Sequence, residues 1–522
     1  MILGEMYERN AFCYPRHPAV IHEGRTITHA ELLQRIRRLI SMLAAQGLKR
    51  QSRIAVLAQN CVEYAELHGA AGLGGFVIVG LNYRLVAREQ AEVLRDCAPE
   101  AFIFESDYAA RAAELRGALP SSTRLICIER GGDAAPPWSL SYRQLVEAAP
   151  EGDPPFRARE DDTLLIIYTS GTTARAKGVM LGNEGQLEQA RSQAMAHAPQ
   201  QNDRMLIVMP FYHIGGPTEM LTFLIAGATI VLHRSFEAHA VLKSIAEHRV
   251  TSAHLAPTMI QMMLDVQEKT PYDVSSLHTV CYASSPMSVA LSRRAQAVFG
   301  RIFMQVYGMT EHGPGTALLK HEHLPDGTAA ESGRLASAGH PFLGTRLRVV
   351  RDDGSDCATG EVGEVRMRSK ALMQGYWGHP EATAAAIGDG WMRSGDMGYF
   401  DDEGFLFIVD RKKDMIVSGG ENIYSREVEE ALLQHPAVNE AAVIGVPDPK
   451  WGESVKAFVS FKPGAGANET ELIEHCRTLI SSYKKPRSID ILPALPRVPS
   501  TGKIDKKRLR EPFWAGHDRR VS

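Results

Sequence analysis

Apolar positions recur along this chain first at helical spacing, then in short strand-like runs, then at helical spacing again. The first helical stretch opens at Thr28-His29-Ala30-Glu31, whose hydroxyl and carboxylate are spaced for a capping box. Leu32, Ile36, Leu39, Ile40 and Leu43 follow at helical spacing, and Gly47 supplies a stop. Residues 54–57 read as a strand and residues 62–73 as a second helix. Short apolar runs return at residues 102–104, 125–128, 164–167, 205–209 and 229–232, with helical patterns between several of them. The rhythm predicts an α/β fold of mostly parallel, helix-flanked sheets.

From Leu347 the pattern changes to short alternating strands with Gly and Asp turns, such as Asp352-Asp353-Gly354 and Asp401-Asp402-Glu403-Gly404. That is the texture of a small antiparallel β-region. Beyond Asp410 it shifts again. Ser425 is placed to cap a helix bearing Val428, Leu432 and Leu433, residues 441–446 and 455–461 read as strands, and Asn468-Glu469-Thr470-Glu471 opens another helix. The expected organisation is a large N-terminal domain, residues 1–410, and a small α+β C-terminal domain, residues 411–522.

Composition narrows the function classes. At 522 residues the chain exceeds what one core serves, and 44% hydrophobic with 23% charged residues describes a globular protein. A net charge of -3 argues against nucleic-acid binding. The seven cysteines are scattered and never in CxxC spacing, which reads as free thiols in a reducing compartment. The N-terminus lacks a signal-peptide pattern, and the apolar runs 69–81 and 220–232 are too short and Gly-containing to cross a membrane. No transmembrane segment and a cytoplasmic location are expected; a homodimer is compatible with the sequence.

The candidate chemistry begins at Tyr168-Thr169-Ser170-Gly171-Thr172-Thr173-Ala174-Arg175-Ala176-Lys177-Gly178, directly after a strand-like run. Small residues let backbone approach an anion, hydroxyls and N–H groups donate, and Lys177 adds charge. It is not a Walker A loop, because no Gly precedes Lys177 and Gly178 stands where Ser or Thr would hold magnesium. Further on come Pro210-Phe211-Tyr212-His213, Tyr307-Gly308-Met309-Thr310-Glu311, Ser394-Gly395-Asp396 and Asp410-Arg411-Lys412-Lys413-Asp414. Ser418-Gly419-Gly420-Glu421-Asn422 and Pro499-Ser500-Thr501-Gly502-Lys503 complete the series. In this order the motifs resemble those of the adenylate-forming superfamily, which includes acyl-CoA synthetases, aryl-CoA ligases, firefly luciferase and peptide-synthetase adenylation domains.

The resemblance implies an ATP-dependent acid:CoA ligase working through an acyl-adenylate, with ATP, Mg²⁺ and coenzyme A. Thr169, Ser170, Gly171, Thr172, Thr173 and Lys177 would hold the β- and γ-phosphates. Glu311 would ligate magnesium, Thr310 touch the α-phosphate, Tyr307 and Gly308 border adenine, and Asp396 and Arg411 bind the ribose. Lys503 would be the catalytic lysine bridging carboxylate and α-phosphate, Lys413 the hinge, and Gly419 and Gly420 the approach for a narrow thiol arm. Ala283, Ser284 and Ser285, residues 312–315 and His213 would line the acyl pocket; a lone His in an apolar stretch is otherwise more often a core residue. No acid stands beside His213 to pair an amino-acid ammonium, so the substrate expected is a fatty or an aromatic acid. Relatives mostly carry Gly at the position of Ala174 and Pro at that of Ala176. Loading of a carrier-protein thiol, or a non-catalytic nucleotide-binding role, are the alternatives. His321-Glu322-His323 lacks the spacing of a helical metal pair and reads as a surface loop.

Overall fold

The computed structural model describes residues 1–169, 176–283, 287–419, 421–498 and 502–515. The chain divides into two compact units: Met1–Leu347 with Met367–Met392, and Arg348–Arg366 with Arg393–Ser522. The expected boundary between residues 410 and 411 falls inside the second unit, which also takes in residues 348–366 and 393–410.

The first unit holds two large sheets among its described residues. In one, Arg53–Leu57 lies between Val77–Gly80 and Ala101–Glu105, all parallel, and Thr163–Thr169 joins parallel to Val77–Gly80. Lys177–Gly182 then turns back antiparallel, with Thr169 opposite Lys177, and Gly375–Tyr376 adds to its far side. The second sheet runs in parallel through Thr229–Leu232, Arg204–Ile207, Ser252–Leu255, Thr279–Tyr282 and Phe303–Met309, before Gly313–Leu318 reverses. The central strands are mostly apolar and buried, with Arg53, Glu105 and Thr229 only at their ends, as expected of strands covered on both faces. The capping box forms as expected: Thr28 Oγ accepts from Glu31 N, and Glu31 accepts from Thr28 N, at the head of His29–Ala45. Both apolar runs of the sequence are core, and no described helix is long and apolar enough to cross a membrane. All seven cysteines are unpaired.

In the second unit, strand Leu406–Arg411 pairs antiparallel with Trp391–Phe400, setting Arg411 opposite Asp396. Beyond it, Val438–Asp448, Gly452–Phe461 and Ser488–Ile491 form a sheet backed by Ser425–Leu433 and Glu469–Leu479, around a core that includes Val428, Leu432, Val443, Val459 and Leu472. Two details differ from the expectation. Ser425 is the first helical residue and does not cap; its N–H donates to Asp410 and its hydroxyl accepts from Lys506. The strand read at residues 441–446 is longer and runs from Val438 through Asp448.

Candidate active site

Each unit carries its own group of expected site residues. In the first, the strands Thr163–Thr169 and Lys177–Gly182 bracket the phosphate-type loop. Thr169 is therefore fixed by its ladder pairing with Lys177. Ser170, Gly171, Thr172 and Thr173 lie outside the described residues, as do Ala174, Ser284, Ser285 and Gly420.

The segment Met373–Trp377 ties this loop to the Glu311 motif. Met373 N donates to Glu311 O at 2.8 Å, Trp377 N donates to Gly178 O at 2.8 Å, and Gly375–Tyr376 pairs with the Lys177 strand. Tyr376 then does two things. Its hydroxyl donates to Glu311 Oε1 at 3.0 Å, and its ring lies 5.2 Å from Lys177 Nζ. Desolvation, with the Glu311 charge beside it, raises the phenol's pKa, so it stays a donor. A half-buried carboxylate with one oxygen held by Tyr376 and a lysine behind the ring is a donor set that suits a hard cation and its polyphosphate. Sequence reasoning passed over Tyr376; the signal available was the Gly375-Tyr376-Trp377 aromatic pair after a strand-breaking glycine.

Tyr307 and Gly308 lie on strand Phe303–Met309, and Thr310 follows in the turn to Glu311. A Cβ at Gly308 would stand 2.2 Å from Gly313 O, so no larger residue fits there. His213 is half-buried; its Nδ1 accepts from Gly215 N at 3.2 Å, which places the proton of the neutral ring on Nε2. Ala283 is half-buried at the end of strand Thr279–Tyr282. His312 is fully buried and bonded to Ser369, and burial lowers its pKa to about 4.

In the second unit, the register of one hairpin brings Asp396 and Arg411 together, with Arg411 Nε 3.3 Å from Asp396 Oδ1. Asp396 is 4% exposed and Arg411 is exposed. Lys503 belongs to the same electrostatic group: desolvation and then repulsion from Arg411 lower its pKa, while Asp396 opposes the change. Lys413 is shifted the same way, first by desolvation, against the pull of Asp414. Gly419 adopts φ 62° and its N–H donates to Trp451 O at 2.8 Å; a Cβ there would meet the Trp451 ring at 2.7 Å. Glycine is therefore required at residue 419 for conformation and for space alike.

One expectation is corrected. His323 is not on a surface loop: it is fully buried, bonded to Tyr282 Oη at 2.9 Å and Leu319 O at 2.9 Å, with its pKa lowered by burial to about 4. Sequence reasoning also missed a buried polar cluster of His197, Glu219, His254 and Cys281, which no local spacing announces.

Comparison with known proteins agrees with this architecture. The AMP-binding enzyme family matches residues 7–377, and the AMP-binding enzyme C-terminal domain matches residues 427–503. Feruloyl-CoA synthase of an Amycolatopsis species is 36% identical over 98% of this chain and 99% of its own length. A fatty acid–[acyl-carrier-protein] ligase of Streptomyces coeruleorubidus is 34% identical, covering 97% of this chain and 96% of its own. Among solved structures, o-succinylbenzoate CoA synthetase from Bacillus subtilis, in complex with its acyl-adenylate intermediate, superposes with a TM-score of 0.84 at 31% identity over 97% of each chain. The chain belongs to the AMP-binding enzyme family, in its acyl- and aryl-CoA ligase branch.

Proposed function

We propose that this protein is an ATP-dependent carboxylic acid:CoA ligase whose substrate is a fatty or aromatic acid. The acid's carboxylate attacks the α-phosphate of ATP, pyrophosphate leaves, and the acyl-adenylate gives its acyl group to the thiol of coenzyme A with release of AMP. The observation that supports this best is the Asp396–Arg411–Lys503 group, which gathers a buried carboxylate and two cations from motifs far apart in sequence. Asp396 would accept the ribose hydroxyls with Arg411 beside it, and Lys503 would hold carboxylate and α-phosphate oxygens together as charge builds. In the first unit, Thr169, Lys177 and the hydroxyl-rich loop from Ser170 to Thr173 would grip the β- and γ-phosphates. Glu311, oriented by Tyr376, would hold magnesium, which neutralises charge on the departing pyrophosphate. Tyr307 and Gly308 would flank adenine, with Thr310 at the α-phosphate. His213, Ala283, Ser284 and Ser285 would line the acyl pocket, and Gly419 and Gly420 would admit the thiol arm.

The pivot would be Lys413, at a domain boundary between residues 410 and 411, letting the smaller part carry Lys503 toward or away from the chemistry. A cytoplasmic setting fits the seven unpaired thiols. A second reading, transfer to a carrier-protein thiol, is favoured by the Streptomyces relative. Acid-dependent exchange of labelled pyrophosphate into ATP, followed by assay with coenzyme A, tests the proposal. Exchange with CoA-thioester formation is expected; exchange without that product points to carrier loading, and no exchange with any acid overturns the ligase reading.

A further inference from the structure

Among the described residues, one group of metal-ligating side chains brings its donors together: His197, Glu219 and Cys281 each offer an atom within 4.8 Å of the other two. All three are core residues, with His197 5%, Glu219 2% and Cys281 0% exposed. They come from three elements. His197 closes the helix Asn183–His197, Glu219 belongs to the helix Gly215–Leu224 packed against it, and Cys281 lies in the strand Thr279–Tyr282. Glu311, the acid expected to hold magnesium, is not among them.

Hydrogen bonding leaves this group unsatisfied. Among the described residues, Glu219 Oε2 and both ring nitrogens of His197 are buried without a hydrogen-bond partner, and Oε2 lies 3.7 Å from His197 Nε2. That spacing is too long for a hydrogen bond and suits two ligands of one ion, since donors about 2.0–2.3 Å from a tetrahedral zinc stand roughly 3.3–3.8 Å apart. The other carboxylate oxygen, Oε1, has His254 Nδ1 at 3.3 Å, and Cys281 bonds to the same carboxylate. His254 and Cys281 are in register on neighbouring parallel strands, so both side chains turn to the face that carries Glu219. A carboxylate and an imidazole left without partners in the interior are costly, and an ion removes that cost.

Charge and softness select the ion. One carboxylate and one thiolate carry two negative charges and the imidazoles none, so a divalent cation makes the buried site neutral. Magnesium and calcium take oxygen ligands, whereas thiolate, imidazole and carboxylate are the ligands of zinc.

We propose that His197, Glu219 and Cys281 bind one structural zinc ion, with His254 Nδ1 completing the set of four donors. The ion fastens two helices to the sheet beneath them. It is separate from the magnesium of the acid-ligase reading and goes beyond that reading. Because every ligand is buried, zinc enters as the chain folds, and the Zn–S bond replaces the S–H bond of Cys281 with loss of its proton to solvent.

The test is the metal content of the full-length chain, freed of any histidine tag and expressed with zinc or with cobalt in the medium. About one zinc per chain is expected by plasma mass spectrometry, and the cobalt form should show a thiolate-to-cobalt charge-transfer band with the strong visible bands of a tetrahedral site. Cys281→Ala and His197→Gln should each lower zinc roughly tenfold or more, and Cys281→Ala should abolish the charge-transfer band. Cys61→Ala, at a buried cysteine outside the group, should keep both signals. The wild-type content and band report on the site even where a variant fails to fold. Less than about a tenth of a zinc per wild-type chain from zinc-rich medium would overturn the proposal, as would zinc and the cobalt band persisting in folded Cys281→Ala. Either result leaves the acid-ligase reading intact, which pyrophosphate exchange tests by itself.

Discussion

The Asp396–Arg411–Lys503 group and the His197–Glu219–His254–Cys281 cluster are assembled in opposite ways. Each residue of the first lies in a short motif of turn formers and charges, and a hairpin register with one loop completes the group. The second draws single residues from two helices and two strands, with no motif around any of them. The difference teaches what a short window of sequence can announce. A constellation set on tight turns shows itself through its turn formers and charges, while side chains that sheet register and helix packing bring together carry no local mark.

The sharpest way to break this comparison is Lys503→Ala. Adenylate formation should fall about 10²–10³-fold or more, while thioester formation from supplied acyl-adenylate is spared. Equal loss in the two half-reactions, measured by stopped assay, would remove Lys503 from the adenylation step. Asp396→Asn weakens charge-assisted bonding to the ribose by about 1.5–3 kcal/mol, and should appear as a roughly tenfold or greater rise in KM for ATP, with exchange still detectable at saturation.

Acid should act on the first unit through its buried histidines. Burial lowers His29, His312 and His323 to about 4 and His68 to about 3. Their unfolded values lie near 6.5, so between roughly pH 6.5 and 4 the unfolded chain binds more protons and stability falls as pH drops. Each contributes up to about 1.4 kcal/mol per pH unit in that window, with a plateau above it. Urea unfolding at pH 7, 6 and 5, followed by hydrogen exchange in first-unit peptides, checks this; a flat profile would mean these histidines bind protons when folded.

Tyr376→Phe removes the hydrogen bond to Glu311 but keeps the ring over Lys177, and should cost about 0.5–1.5 kcal/mol, seen as a several-fold higher magnesium requirement. The smallest effect is expected from Ala176→Pro, which stiffens the approach to Lys177. A gain of about 0.4–1 kcal/mol from lost chain entropy would lower KM for ATP by roughly two- to fivefold. A rise instead would show that this chain's loop uses the freedom that Ala176 gives.

The fold was legible wherever a periodic pattern was long. The capping box at Thr28, the helix Val62–Gly74 and the buried strands lie within a few residues of their expected places. Boundaries slipped where a tertiary partner intervened: Asp410 and Lys506 claim the backbone and hydroxyl of Ser425, so it cannot cap. His323 misled because a His-Glu-His triplet reads as polar, while Tyr282 and Leu319 O satisfy its ring in the interior.

By itself the sequence determined that this chain has an alternating α/β first part and a small α+β end, and which motifs carry phosphate-type chemistry. Those properties are local, written in periodicity, caps and turn residues a few positions apart. Only the tertiary structure decided that Tyr376 reaches Glu311 and that Glu219 meets His197 and His254 in the core. Contacts between residues so distant in sequence depend on strand order and helix packing, which no short window of sequence contains.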